Sequence, residues 1–288
     1  MSPQDIAAGV AAAFRAACRA ELNALKVGNV HRHGAGHGME VAHFERAADA
    51  AAPHIAAVGA RVGARIEQAV DASLAAAGLN TNLGIVLLCA PLASAAESAG
   101  PAPTAEGLRA RLRAALDGLD MEDAAATFRA ITHANPGGLG RATEHDVTGP
   151  VRIGLVEAMG LAAARDSIAR QFVTGFADIF EFGLPRLRAL ANAPAEARTE
   201  AVHLGFMAAF PDSHIARKSG IDIAEAVRAE AAALLPRIDF RAPDATRHAA
   251  LLPFDVSLKA RGLNPGTSAD LTVATLFTDL LTGGSLRP

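Results

Sequence analysis

Apolar residues recur along this chain at three- and four-residue intervals, the spacing of amphipathic helices. Nowhere do they alternate with polar residues long enough to predict a strand. The first pattern opens on Ser2-Pro3-Gln4-Asp5: an N-cap, a proline at the first helical position and an acid in the first turn. It continues through Ile6, Val10, Phe14 and Ala17. After Pro53, the residues Ile55, Val58, Val62, Ile66, Val70 and Leu74 predict one helix with an apolar stripe about five turns long. Residues 83–88 are apolar on every side, as in a central buried helix. Further helices are predicted near 105–117, 121–132, 151–165, 167–182, 195–210, 222–235, 244–260 and 269–282. Asp120, Asp222, Asp244 and Ser268 stand where their N-caps belong. The predicted fold class is all-α, a compact multi-helix bundle with polar loops.

Composition supports this pattern and narrows the partners. Much of the 51% hydrophobic content is Ala, the strongest helix former, whereas β-branched and aromatic residues are sparse. The 288 residues suit one large domain or two closely packed halves; the stretch 97–104 reads as a loop, so a single domain over 1–288 is expected. Tyr and Trp are absent, which removes the usual stacking platform for single-stranded nucleic acid. A net charge of −3 without a basic stripe argues further against a nucleic-acid partner, while a local anion pocket stays open. Cys18 and Cys89 are too few for a disulfide framework and read as core thiols in a reducing compartment. The N-terminal residues lack a secretory pattern, and the longest apolar stretch falls short of the ~20 residues a membrane span needs. No membrane partner and a cytoplasmic location are expected; a homo-oligomer is compatible with all of this.

Candidate chemistry gathers in five connections rich in Gly, Asn, His and charge: 26–38, 78–84, 132–149, 211–220 and 262–270. Active-site loops on a rigid scaffold are built this way. In the first, Lys26, Gly28, Asn29, His31 and Arg32 combine positive charge with an open backbone, as phosphate oxygens require. His37 and Glu40 stand three apart where a helix begins, and on one helix face they could hold a metal. Asn80, Thr81 and Asn82 are either caps or an anion and ribose site at a helix start. Three glycines follow Pro136, and then Glu144, His145 and Asp146 offer a general base or magnesium ligands. Asp212 followed by Arg217 and Lys218 fits either a magnesium–triphosphate pocket or a surface ion pair. Asn264 and Gly266 precede Asp270, for which a favourable helix dipole is already a sufficient structural reason. No Walker, dinucleotide, paired CxxC or His-Glu-x-x-His pattern occurs, and no nucleophile elbow.

The order of these motifs is more informative than any one of them. Lys26-x-Gly28-Asn29-Val30-His31-Arg32, Asn80-Thr81-Asn82-x-Gly84, Asp212-x-x-x-x-Arg217-x-x-Gly220 and Asn264-Pro265-Gly266-x-x-Ala269-Asp270-Leu271 together resemble the triphosphoribosyl-dephospho-coenzyme A synthase family. The likeness spans about 26 to 282. Val27 stands where the family usually has Pro, and Gly38 where an acid often precedes Met. The 135–146 segment is similar to the branch found in archaea and methylotrophic bacteria. The resemblance implies a helical enzyme that transfers the triphosphoribosyl part of ATP to dephospho-coenzyme A and releases adenine. It implies a magnesium-bound polyphosphate clamped by Lys26, Arg217 and Lys218, with Gly28, Asn29, His31, Arg32, Asn80, Thr81, Asn82, Asn264 and Gly266 lining the substrate. Asp146, Asp212 and Asp270 are then the metal ligands or base, and Asp146, Asp270 and Glu144 the catalytic acids. Alternatives are phosphoribosyl transfer in tetrahydromethanopterin biosynthesis with a donor such as phosphoribosyl pyrophosphate, a metal-dependent ribosyl hydrolase, and a nucleotide-binding protein without turnover. All five segments are expected to meet at one pocket.

Overall fold

A computed structural model describes residues 2–100, 102–136, 149 and 151–285. Among these residues there are fourteen α-helices and no strand, only isolated bridges at His31–Gly34 and Gly36–Met39. Helix α1 (Pro3–Asn23) begins with the expected device: Ser2 and Asp5 cap each other reciprocally. Val10, Phe14 and Ala17 face the core, and the same stripe carries Glu21 into it.

The stripe after Pro53 is not one helix. α2 (Val41–Ile55) ends where the long helix was predicted to start, with Pro53 in its last turns. α3 (Val62–Ala77) begins after a reversal through Gly59, whose φ of +76° suits only glycine. The Arg65 guanidinium lies across this corner, donating to the carbonyls of Ile55 (2.9 Å) and Ala60 (3.0 Å). It thereby satisfies a helix-end carbonyl that would otherwise lack a partner. Val58 is left at the exposed tip.

α4 (Leu83–Ala99) is the predicted central helix, and it runs well past residue 88, with Pro91 inside it. Its first eleven residues are all buried, surrounded by α1, α2, α3, α5 (Ala105–Asp117) and α14 (Gly266–Leu281). α6 (Met121–Ala134) opens on Asp120, which caps it as predicted. α7 (Leu155–Ala162) and α8 (Ser167–Thr174) are shorter than the patterns 151–165 and 167–182. Left-handed Gly175 stops α8, and the chain resumes as a π-helical turn, Asp178–Gly183, leading into α9 (Leu184–Ala189). α10 (Ala195–Ala209), α12 (Ile221–Leu234) and α13 (Asp244–Ala260) lie where expected. Asp222, Asp244 and Ser268 stand inside the first turns of their helices instead of capping them; Gly220, Pro243 and Pro265 hold the cap positions. Residues 211–220, read as a loop, contain the short helix α11 (Ser213–Ser219).

The apolar interior has a large part around α4 and a smaller one built by α10, α12 and α13 with Leu25 and Val27. Helix α14 packs on α1, α4, α10 and α11. Its first turn thus lies at the meeting point of the segments singled out above. No helix among the described residues is long and apolar enough to cross a membrane.

Candidate functional site

A cavity of about 810 Å³ opens at the start of α4 and α14, and all five polar segments line it. The first contributes Asn29 and His37, the second Asn80, Thr81 and Gly84, and the third Asn135 and Pro136. The fourth contributes His214, Arg217 and Lys218, the fifth Asn264, Gly266 and Asp270. Glu21, Arg165 and Asp166 complete the polar side. The other side is apolar, with Phe44, Leu74, Phe128, Ile131 and Met159. Glu144, His145 and Asp146 lie outside the described residues.

Asp270 is the most perturbed acid of the cavity. Burial pushes its carboxyl well above the ordinary aspartate range, and Asp212, Glu21 and Asp166 add to the rise, against the pull of Arg217. Among the described residues no donor hydrogen-bonds to it. Its carboxylate rests against the first turn of α4, so close that a Cβ on Gly84 would lie 2.1 Å from Oδ2. Only glycine leaves room there, which accounts for the last residue of the Asn80–Gly84 motif.

Asp212 occupies a different place. Its Oδ1 accepts from the N–H groups of His214 (2.9 Å) and Ile215 (3.1 Å), capping α11. Its Oδ2 accepts from the N–H (2.7 Å) and hydroxyl (2.8 Å) of Ser268 in α14. Four donors fill a buried carboxylate that does not line the cavity. It joins the starts of two helices rather than facing a metal.

The first segment divides in the same way. Lys26 is fully buried behind the cavity wall, paired with Glu21 and donating to Asn29 Oδ1 at 3.1 Å. Burial pushes the Glu21 carboxyl up and the Lys26 amine down, each opposed by the other's charge. Lys26 reaches the cavity only through Glu21 and Asn29, and Asn29 Nδ2 in turn donates to Asn264 Oδ1 at 2.8 Å. Gly28 and His31 anchor the segment. The Gly28 N–H donates to Asp255 Oδ1 at 2.8 Å, and His31 Nε2 meets the same carboxylate at 3.2 Å. Arg32 is exposed and pairs with Glu45 on the surface. His37 has a φ of +56° and holds the Gly28 carbonyl at 2.8 Å. Glu40 is the exposed N-cap of α2, so the two do not share a helix face. Asn80 accepts from the Leu83 N–H at 3.2 Å, and buried Asn82 donates to Ser73 at 3.0 Å. Thr81 Oγ1 is buried without a partner among the described residues.

Four polar lining residues were missed by the sequence reading: His214, Asp166, Glu21 and Arg165. His214 shares one face of α11 with Arg217 and Lys218 by helical spacing, a signal hidden while the segment read as a loop. Its Nε2 is buried without a partner among the described residues, and burial, with Lys218 and Arg217 nearby, lowers its pKa to about 4. Asp166 caps α8 through Oδ1 and accepts from Arg217 at 3.3 Å through Oδ2; its place before a predicted helix was the clue. Glu21 was legible as an acid on the core stripe of α1. The site thus sets a crowded group of carboxylates beside the cations Arg165, Arg217 and Lys218 and a neutral imidazole.

No curated protein matches the chain at a significant level. A solved crystal structure from Archaeoglobus fulgidus, of a protein provisionally described as a triphosphoribosyl-dephospho-CoA synthase, is similar with a TM-score of 0.66 and 26% identity. The match covers 83% of this chain and 99% of that one. The sequence profile of the ATP:dephospho-CoA triphosphoribosyl transferase family, CitG, matches residues 7–287. The chain belongs to that family.

Proposed function

We propose that this cavity is the active site of a transferase that moves a triphosphoribosyl group from ATP to a hydroxyl acceptor such as dephospho-coenzyme A. The observation that carries the reading is Asp270, a carboxylate with a raised pKa and no donor among the described residues, in the same lining as Arg217 and Lys218. A polyphosphate lies naturally against the two cations, which brings its ribose towards the acidic side. There the acceptor oxygen bonds to the ribose anomeric carbon as its bond to adenine breaks. The acceptor proton passes to a carboxylate, Asp270 in this reading, and the departing adenine takes up one proton from the surrounding water, so the protons balance. The same negative charge stabilises the oxocarbenium-like transition state. Glu144 and Asp146 remain proposed as further acids of this centre.

Magnesium fits the donor set. Asp270, in a crowd of like charge, would offer it a hard oxygen ligand, and this ion binds through one or two carboxylates plus substrate phosphates. When bound, it would neutralise polyphosphate charge. The apolar half of the cavity favours an acceptor with a weakly polar portion, which keeps a tetrahydromethanopterin-type acceptor as the second reading. A nucleotide donor and two free buried thiols speak for a cytoplasmic location.

The test is incubation with ATP or phosphoribosyl pyrophosphate and each acceptor, followed by mass spectrometry. With ATP, adenine and a triphosphoribosyl adduct should appear in equal amounts. Adenine without adduct would make the protein a hydrolase, and nucleotide binding without adenine release would make it a non-catalytic binder.

A further inference from the structure

On another part of the same scaffold, three side chains from distant parts of the chain converge without any role in the cavity. His33 comes from the first polar segment, Glu196 from the first turn of α10 and His248 from α13. One potential ligand atom from each lies within 4.8 Å of the other two, the only such group of three among the described residues. None of them lines the cavity. The two imidazoles meet with centroids 4.6 Å apart, their planes inclined at 63°.

We propose that His33, Glu196 and His248 form a zinc site that fastens the first polar segment to α10 and α13. The hydrogen bonds behind the rings support this. His248 Nε2 lies 3.0 Å from Glu200 Oε1, and Glu200 is buried and held by Arg247 at 2.8 Å. His33 Nε2 lies 3.0 Å from the Asn23 carbonyl. With each Nε2–H donated to an oxygen, each Nδ1 keeps its lone pair, and neither Nδ1 has a protein partner among the described residues. Carboxylate or carbonyl on one ring nitrogen fixes the tautomer and orientation that a metal-binding histidine needs. Two imidazoles and one carboxylate suit zinc, whose fourth position then holds water; magnesium and calcium prefer oxygen alone. With bonds near 2.1 Å, tetrahedral ligands stand about 3.4 Å apart, against the 4.8 Å within which one potential ligand atom of each residue lies. All three are at least partly exposed, so side-chain rotation suffices. The segment so fastened is the one that delivers Asn29 and His37 to the cavity.

The experiment is calorimetric titration of chelator-stripped full-length protein with zinc chloride, paired with cobalt(II) absorption spectra. Wild type should bind one tight equivalent and give the intense visible bands of tetrahedral cobalt, and zinc should raise its melting temperature. His33→Ala and Glu196→Gln should each abolish the tight equivalent and the bands. His54→Ala, at a surface histidine of α2, should keep both. Because His33 and Glu196 are not core residues, these variants test the site without removing packing, and circular dichroism confirms that they fold. Absence of a tight equivalent in wild type, or its survival in either ligand variant, would overturn the proposal. Neither result depends on the transferase reading.

Discussion

Replacing Gly84 with Ala adds a single methyl group, and the geometry of the cavity turns it into a kinetic experiment. Its Cβ would stand 2.1 Å from Asp270 Oδ2, 2.5 Å from Cγ and 2.6 Å from Ile168 Cδ1. Ordinary contact begins near 3.4 Å, so the carboxylate must retreat by about 1.3 Å. A misplacement of about 1 Å in a reacting group can cost roughly a hundredfold in rate, or about 2.7 kcal/mol of barrier. Stability should change much less. Ala gains up to about 1 kcal/mol of helix propensity over Gly, against about 1–3 kcal/mol for overpacking. The net loss of roughly 0–2 kcal/mol lowers the melting temperature by several degrees at most in a chain of this size. The assay is adenine release under saturating ATP and acceptor, with a thermal melt on the same preparation. A fall in kcat near a hundredfold, in a variant that melts within several degrees of wild type, is expected. Unchanged kcat would show that the position of Asp270 does not matter to the reaction.

Asp270→Asn should lower turnover by at least about a hundredfold while raising stability at neutral pH. A carboxyl whose folded pKa is raised binds extra protons in the native state, so its ionisation opposes folding as pH rises above the unfolded value near 3.8. Melts at pH 5 and pH 7.5 check this, and a large loss of stability at pH 7.5 would refute it. His214→Gln should weaken the dependence of stability on pH between about 4 and 6.5. Wild-type His214, with its pKa lowered to about 4, contributes a loss of stability as pH falls through that window. Denaturant unfolding across the range measures the slope, and an unchanged slope would dismiss the effect. Asp212→Asn should cost about 1–3 kcal/mol by leaving buried donors of α11 and α14 short of an acceptor, measurable as a lower urea midpoint.

Helix existence was easy to read because the α1 stripe keeps a clean period and the start of α4 is apolar all round. Boundaries were less legible. The stripe from Ile55 to Leu74 keeps helical phase across the Gly59 reversal, and phase alone cannot show that Arg65 folds the chain back there. The seven residues of α11 are too few to display a period, so His214 was lost from its own face. The gathering of all five segments could be anticipated, yet the split of labour within them could not. Lys26, His31 and Asp212 are polar because the protein itself supplies their partners, whereas Asp270 has none among the described residues. A sequence shows these as the same kind of residue, since satisfaction of a buried polar group depends on neighbours more than two hundred positions away, as with Gly28 and Asp255.

One carboxylate, that of Asp212, belongs to two helix beginnings at once, and this makes the spacing between them a local quantity. The cations of α11 and the acid of α14 are referred to a common point, although α12 and α13 intervene in the chain. Within that stretch α13 still anchors the first polar segment through Asp255, so freedom of length is confined to the connection before it. The connection 235–243 between α12 and α13 would therefore accept added residues, or even a cut, with the separation of Arg217 and Asp270 preserved. Moving a single oxygen at position 212 would disturb it. Tolerance and intolerance to change in this protein thus follow shared hydrogen-bond acceptors more closely than distance along the backbone.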